Sequence, residues 1–167
     1  MTPDEVAKGN SIYLKVKTDH TLAIGYHPGA GKPPNCWPAD RFAHVANILW
    51  TDFQASLFIT SGPMDQSVVG RMVESLRAPY YLLENMPVRQ VASVLVNLNL
   101  VISNDTGIMH VAAAVGVPVL CLFGPTDPLQ WAPIGEKHRY IVSENGRMES
   151  ISVDEVLAVA REMLRTR

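Results

Sequence analysis

Residues 100–123 read LVISNDTGIMHVAAAVGVPVLCLF. Leu100-Val-Ile-Ser103 and Val119-Leu-Cys-Leu-Phe123 are continuous apolar runs, without the polar alternation of a half-exposed strand. That pattern marks strands buried on both faces of a parallel sheet. Between them, Asn104 to Gly116 makes a tight turn into a helix of small residues that Gly116 can cap before Pro118. Strand, helix and strand in this order make the stretch one repeat of an α/β layered domain.

The same rhythm extends in both directions. Leu22 to His27 reads as a first strand ending in the turn-rich segment from Pro28 to Pro38, after which Phe42, Val45, Ala46 and Leu49 recur at helical spacing. Ala55 to Thr60 is a second strand, broken by Gly62-Pro63. Val68, Val69, Met72, Val73 and Leu76 then mark a helix before the short apolar segment from Tyr80 to Leu83. Pro87 opens a helix carrying Val88, Val91, Ala92, Leu95 and Val96, which leads into the strand at Leu100. After Phe123 come a punctuated loop to Gly135, a last strand at Tyr140-Ile-Val, and a helix from Val153 to Leu164. Ser152 can cap that helix, with Glu155 in the capping-box position. Residues 1–20 are polar and unpatterned and are expected to be a linker or arm, leaving 21–167 as a single domain.

With 167 residues, 47% of them hydrophobic and 18% charged, the chain has the composition of a globular domain rather than a disordered one. At this length one core buries about 70% of the surface of the unfolded chain, so neither disulfides nor a metal is required for stability. A formal net charge of −2 gives no bulk attraction to nucleic acid or anionic lipid. Cys36 and Cys121 lack metal-ligand or redox spacing, which suits a reducing, cytoplasmic compartment. No apolar run approaches the roughly 20 residues of a membrane span, and the N-terminus has no signal-peptide core, so at most a peripheral membrane association is expected.

Chemistry concentrates at Ser103-Asn-Asp-Thr-Gly-Ile-Met-His110, where a carboxylate, a hydroxyl, a glycine and an imidazole share a strand-to-helix junction. Ligands of open α/β sheets settle at the carboxyl ends of strands, and a helix N-terminus offers free N–H groups to a phosphate. A diphosphate is the natural guest. Gly107 lets it approach the backbone, Thr106 can donate its hydroxyl, and His110, one helical turn on, can reach back. On spacing alone a second reading stands beside this one: Asp105 or Thr106 caps the helix and His110 is an interior histidine. Thr126, in the loop after the next strand, is a further expected contact. Trp37 and Trp131 can flank a base or sugar, or anchor packing, the reading favoured for Trp131. The cysteines and the helix-spaced apolar residues are expected to be structural.

The segment from Ser103 to Trp131 resembles the signature of family 9 glycosyltransferases, which include the lipopolysaccharide heptosyltransferases. The matching elements are Asp105-Thr-Gly107, His110, Ala112-Ala-Ala114, Pro118 and Phe123-Gly-Pro-Thr-Asp-Pro128, with Trp131 behind. His27-Pro-Gly-Ala30 with Trp37-Pro38, and Thr60-Ser-Gly62, match in the same order, so the likeness covers about residues 22–135. It implies a Rossmann-like three-layer domain with a parallel sheet, similar to the C-terminal half of a GT-B glycosyltransferase. That half holds a nucleoside-diphosphate sugar, commonly ADP-heptose, as donor substrate and needs no separate cofactor. The glycolipid or glycan acceptor, and the general base, belong to an N-terminal domain outside this sequence, without which the chain is expected to be inactive. The resemblance also implies a location at the inner face of the cytoplasmic membrane.

Carried over residue by residue, Thr106, Gly107 and His110 hold the diphosphate, while Asp105 lies beside the sugar or orients His110; Asp105 and His110 are the expected catalytic pair. In two places the chain departs from the family pattern. The lysine usual before the loop tryptophan is replaced by Asn35, leaving Lys32 upstream as the candidate phosphate contact. The ribose-binding Glu after the second strand has Asp65 as its counterpart, a carboxylate able to accept from two hydroxyls. The sequence shows no metal-binding carboxylate cluster, in keeping with a metal-independent site that stabilises the leaving diphosphate electrostatically. A non-catalytic nucleotide or nucleotide-sugar binding module is the alternative. A dinucleotide-dependent oxidoreductase is disfavoured, because the turn after the first strand reads His-Pro-Gly-Ala-Gly and lacks the Gly-x-Gly-x-x-Gly fingerprint.

Overall fold

The computed structural model describes residues 1–16 and 22–166. Six strands form one sheet in the order β3-β2-β1-β4-β5-β6, with every neighbouring pair parallel. They are β1 (Ala23–His27), β2 (Ser56–Ser61), β3 (Tyr80–Glu84), β4 (Leu100–Asn104), β5 (Val119–Phe123) and β6 (Arg139–Val142). The helices are α1 (Pro3–Val16), α2 (Ala39–Phe53), α3 (Gln66–Glu74), α4 (Val88–Leu95), α5 (Gly107–Ala114), α6 (Pro128–Trp131) and α7 (Val153–Arg165).

Alternate side chains of the central strands feed two cores. Ile24, Tyr26, Leu57, Ile59, Leu100, Ile102, Leu120 and Leu122 face α2, α3 and α7, while Ala23, Phe58, Val101, Val119, Cys121 and Phe123 face α4 and α5. All residues of β1, β2, β4 and β5 are buried, which is why their sequences read as unbroken apolar runs. The edge strands β3 and β6 are partly exposed. The expected three-layer α/β arrangement with a parallel sheet is the one observed. Ser152 and Glu155 cap α7 reciprocally as the sequence predicted, and Gly116, at φ +90°, follows the end of α5.

The N-terminal segment differs from its expectation as a linker or arm. Pro3–Val16 is a helix lying on α4, and Gly9 sits so close that an added Cβ would stand 2.0 Å from the Ser93 carbonyl oxygen. Ile12, Tyr13 and Val16 pack on the second core, with Tyr13 stacked 6.1 Å from Phe58, and Arg89 grips the Glu5 carboxylate with two hydrogen bonds of 2.7 and 2.8 Å. These apolar contacts cluster at the C-terminal end of α1, too short a run to show a helical period in the sequence. Residues 17–20, the remainder of the predicted arm, lie outside the described residues. The loop expected between Gly124 and Gly135 contains α6, capped by the Asp127 carboxylate, which accepts from Leu129 N–H at 2.9 Å.

Candidate functional site

The strand order reverses direction between β1 and β4, so the connections leaving their carboxyl ends diverge and open a crevice. One side chain fixes both walls. Asn104, fully buried at the end of β4, donates to the Pro28 and Gly29 carbonyls at 2.8 and 3.2 Å, and its Oδ1 accepts from Trp37 N–H at 3.1 Å. The Trp37 indole is fully buried, donates to the Ile151 carbonyl at 2.9 Å and stacks edge-on with Phe42, so it is a packing anchor rather than a surface for a base or sugar.

A second network ties β1 to β2. Thr60 Oγ1 donates to the Tyr26 carbonyl and therefore accepts from His27 Nδ1–H at 2.7 Å, which leaves His27 Nε2 facing Asp65 Oδ2 at 3.9 Å. Burial holds the His27 pKa below its usual value, against the opposing pull of Asp65. Asp65 stands at the start of α3, and its Oδ2 accepts from Gly62 N–H at 2.8 Å. Its Oδ1 lies 2.0 Å from where a Gly29 Cβ would be, so Gly29 is the residue that makes room for this carboxylate.

The turn from β4 into α5 is built differently. Asp105 N–H continues the ladder to the Leu122 carbonyl at 3.2 Å, but its carboxylate has no hydrogen-bond partner among the described residues. Thr106 is the N-cap of α5 with extended backbone (φ −160°, ψ 167°), yet its hydroxyl caps nothing. Beyond its chain neighbours and the backbone of its own helix, Gly107 has no atom within 4 Å of an added Cβ, and its φ is not unusual, so neither the fold nor the backbone explains a glycine there. His110 is exposed on the next turn of the same helix. The capping and interior-histidine reading of this segment therefore fails at Thr106 and at His110, and Asp105, Thr106, Gly107 and His110 all lie in the cap and first turn of one helix.

The loop after β5 closes the other side. Gly124 is buried against the Met148 side chain and lies close to the β1–α2 loop, where a Cβ added to Gly124 would stand 3.3 Å from the Pro34 carbonyl oxygen. Two residues on, the Thr126 hydroxyl is buried without a partner among the described residues, while Trp131 is half-exposed. Lys32, by contrast, is exposed at the head of a short 3-10 turn (Pro33–Asn35) in the β1–α2 loop and has no ion-pair partner among the described residues. Asp65 lines a cleft of about 650 Å³ together with Ala30, Cys36, Met64 and Arg71, between the loops that leave β1 and β2. Another groove, of about 620 Å³ and lined by His44, Trp50 and Asp52, lies along the outer face of α2 away from the strand ends. Burial pushes the Cys121 thiol well up and that of Cys36 up, so both stay protonated, as structural cysteines do. Among the described residues no cluster of three His, Cys, Asp or Glu side chains could hold a metal ion, and no helix is long and apolar enough to cross a membrane.

Asn104 and His27 are residues of this site to which sequence reasoning gave no role of their own. Their signal was present: each is a polar residue at the end of a buried, mainly apolar strand, a position that a polar group holds only when it is hydrogen-bonded.

Comparison with known proteins identifies the family and the fold. The family model of glycosyltransferase family 9 (heptosyltransferase) matches residues 8–158. The lipooligosaccharide heptosyltransferase 2 of Haemophilus influenzae is 32% identical over 119 residues, 68% of this chain and 34% of that protein. The crystal structure of the glycosyl transferase family 9 from Veillonella parvula superposes with a TM-score of 0.92 at 25% identity, covering 100% of this chain and 53% of that one. The E. coli heptosyltransferase WaaC with ADP shares the fold, with a TM-score of 0.77 at 22% identity over 92% of this chain and 48% of that one. The chain thus spans about a third of the curated relative's length and about half of the solved ones. With the family model covering residues 8–158, the chain belongs to glycosyltransferase family 9, the heptosyltransferase family.

Proposed function

We propose that this chain forms the donor-binding half of a glycosyltransferase that transfers a sugar, a heptose, from a nucleoside diphosphate to a lipopolysaccharide or related glycan acceptor. The observation that carries the reading is the N-terminus of α5, where the cap hydroxyl of Thr106 is uncommitted and Gly107 faces open space. Such an end presents free N–H groups and about half a positive charge, complementary to a diphosphate. The H. influenzae relative's heptosyltransferase name and the ADP in the WaaC structure point to ADP-heptose as donor.

In this assignment Thr106 and the Gly107 N–H bind the diphosphate, His110 reaches back from one turn along α5, and Asp105 lies beside the sugar or orients His110. The ribose hydroxyls donate to Asp65, whose cleft has room for the nucleoside, and Lys32 supplies a counter-charge to the phosphates. The acceptor hydroxyl attacks the anomeric carbon and the nucleoside diphosphate departs. The α5 dipole and His110 stabilise the charge that grows on the leaving group, which is electrostatic catalysis by preorganised donors. The acceptor and the base that takes its proton come from a second, N-terminal domain, and the assembly works at the cytoplasmic face of the inner membrane.

Calorimetric titration with ADP, UDP and GDP, with and without magnesium, tests the reading. ADP is expected to bind, and Thr106→Ala and His110→Ala are each expected to weaken it by about tenfold, the worth of one hydrogen bond to a charged group. Absence of binding by all three nucleotides would refute a donor site formed by this chain.

A further inference from the structure

We infer that Asn145 is a covalent modification site, whose side-chain amide is displaced by the Gly146 nitrogen to leave a mixture of aspartate and isoaspartate. The inference is independent of the donor-site reading. Asn145 is the one asparagine of the chain that precedes a glycine, and a residue without Cβ leaves its own nitrogen open to the side chain before it. The pair lies in the turn between β6 and a short 3-10 turn (Met148–Ser150), with the Asn145 side chain exposed and Gly146 at φ +73°.

The turn is set up for the reaction. Gly146 N–H makes no hydrogen bond among the described residues, so the nucleophile is uncommitted. Asn145 Oδ1 accepts from Arg147 N–H at 3.0 Å, a bond that folds the side chain back over the Asn145–Gly146 peptide. The same N–H polarises the amide carbonyl and stabilises the negative charge that develops on Oδ1 as the nitrogen adds to Cγ. Other asparagines are held differently. Asn104 and Asn47 use both amide atoms in hydrogen bonds, and Asn104 is fully buried while Asn47 lies inside α2.

In the reaction Gly146 N bonds to Asn145 Cγ, and the Nδ2 group departs as ammonia with the Gly146 proton, leaving a cyclic imide. Water then opens the imide. Attack at Cγ gives aspartate, and attack at the backbone carbonyl gives isoaspartate, with the chain rerouted through Cγ. Either product adds a carboxylate beside Glu144. Isoaspartate also lengthens the segment that braces the loop after β5, where Ser143 N–H and hydroxyl donate to the Phe123 and Gly124 carbonyls and Met148 packs on Gly124.

The folded chain and a synthetic peptide of residues 142–149 are held for weeks at body temperature, at neutral and at mildly alkaline pH. Peptide mapping by mass spectrometry, with a carboxyl methyltransferase selective for isoaspartate, then locates and identifies the products. In the folded chain isoaspartate is expected at position 145 ahead of every other asparagine, faster at the higher pH, and at a rate within about tenfold of the peptide. Asn145→Gln keeps an exposed amide but sets it one methylene further out, and should remove the signal without lowering the melting temperature. A folded chain that reacts more slowly than this, or not at all, would overturn the inference by showing that the turn keeps the amide away from Gly146. Aspartate without isoaspartate would overturn it too, since direct hydrolysis of the amide gives that product alone, as would a signal that persists in Asn145→Gln.

Discussion

The loop after β1 and the turn after β4 face one another across a single crevice, yet they treat their polar groups in opposite ways. In the first, carbonyls 28 and 29 and the Trp37 N–H are all taken up by Asn104, and the Trp37 indole by Ile151. In the second, the Asp105 carboxylate, the Thr106 hydroxyl and His110 have no hydrogen-bond partner among the described residues, and Gly107 opens onto space. The difference separates framework from site. A fold satisfies the groups that hold it together and leaves unsatisfied those a ligand will meet.

The contrast breaks most visibly at Asn104. Asn104→Ala strands two carbonyls and an N–H in a buried position, so a loss of about 3 kcal/mol and a drop in melting temperature of about 6–12 °C are expected by calorimetry. A drop of a degree or less would mean that the two walls do not depend on this side chain. Gly107→Ala runs the other way. Alanine favours a helix over glycine and here meets nothing beyond its own helix, so stability should be unchanged or slightly raised. The methyl group occupies ligand space, so ADP affinity should fall by about tenfold or more, equivalent to about 1.4 kcal/mol. Equal affinity would show that the ligand does not approach Gly107.

Tyr26→Phe sharpens the comparison within the framework. It removes a buried hydroxyl that has no partner among the described residues, so stability should rise by about 1 kcal/mol, seen as an increase of about 2–4 °C in melting temperature with donor affinity unchanged. A lower melting temperature would reveal a partner for that hydroxyl. The smallest effect is absent at neutral pH and emerges on acidification. His27 and His138 are buried, the latter with Nδ1 accepting from Val119 N–H at 3.3 Å, and burial lowers both pKa values from 6.5. Below pH 6.5 the unfolded chain takes up protons that the folded chain resists, so stability present above that pH is lost as the pH falls. Melting temperature should decline from about pH 7 to about pH 5.5, and His138→Asn, which keeps an acceptor, should flatten the decline; a flat wild-type profile would contradict the assignment.

The amino-acid sequence by itself determined the layered α/β class and most element positions, because strands buried on both faces must be apolar throughout and helices against a sheet must be apolar on one side. It also brought out residues 105–110, since four chemically distinct groups at one strand-to-helix junction form a local pattern. Long-range contacts are not written locally. The docking of α1 depends on Gly9 meeting Ser93, far along the chain, so the segment reads as unpatterned. The bridging by Asn104 joins residues more than seventy positions apart. The engagement of Asp65 with Gly62 N–H, and the lack of a partner for the Thr126 hydroxyl among the described residues, are likewise facts of three-dimensional packing. Residue type and spacing fix which groups can bind a phosphate. Only the tertiary structure decides which of those groups the fold has already used.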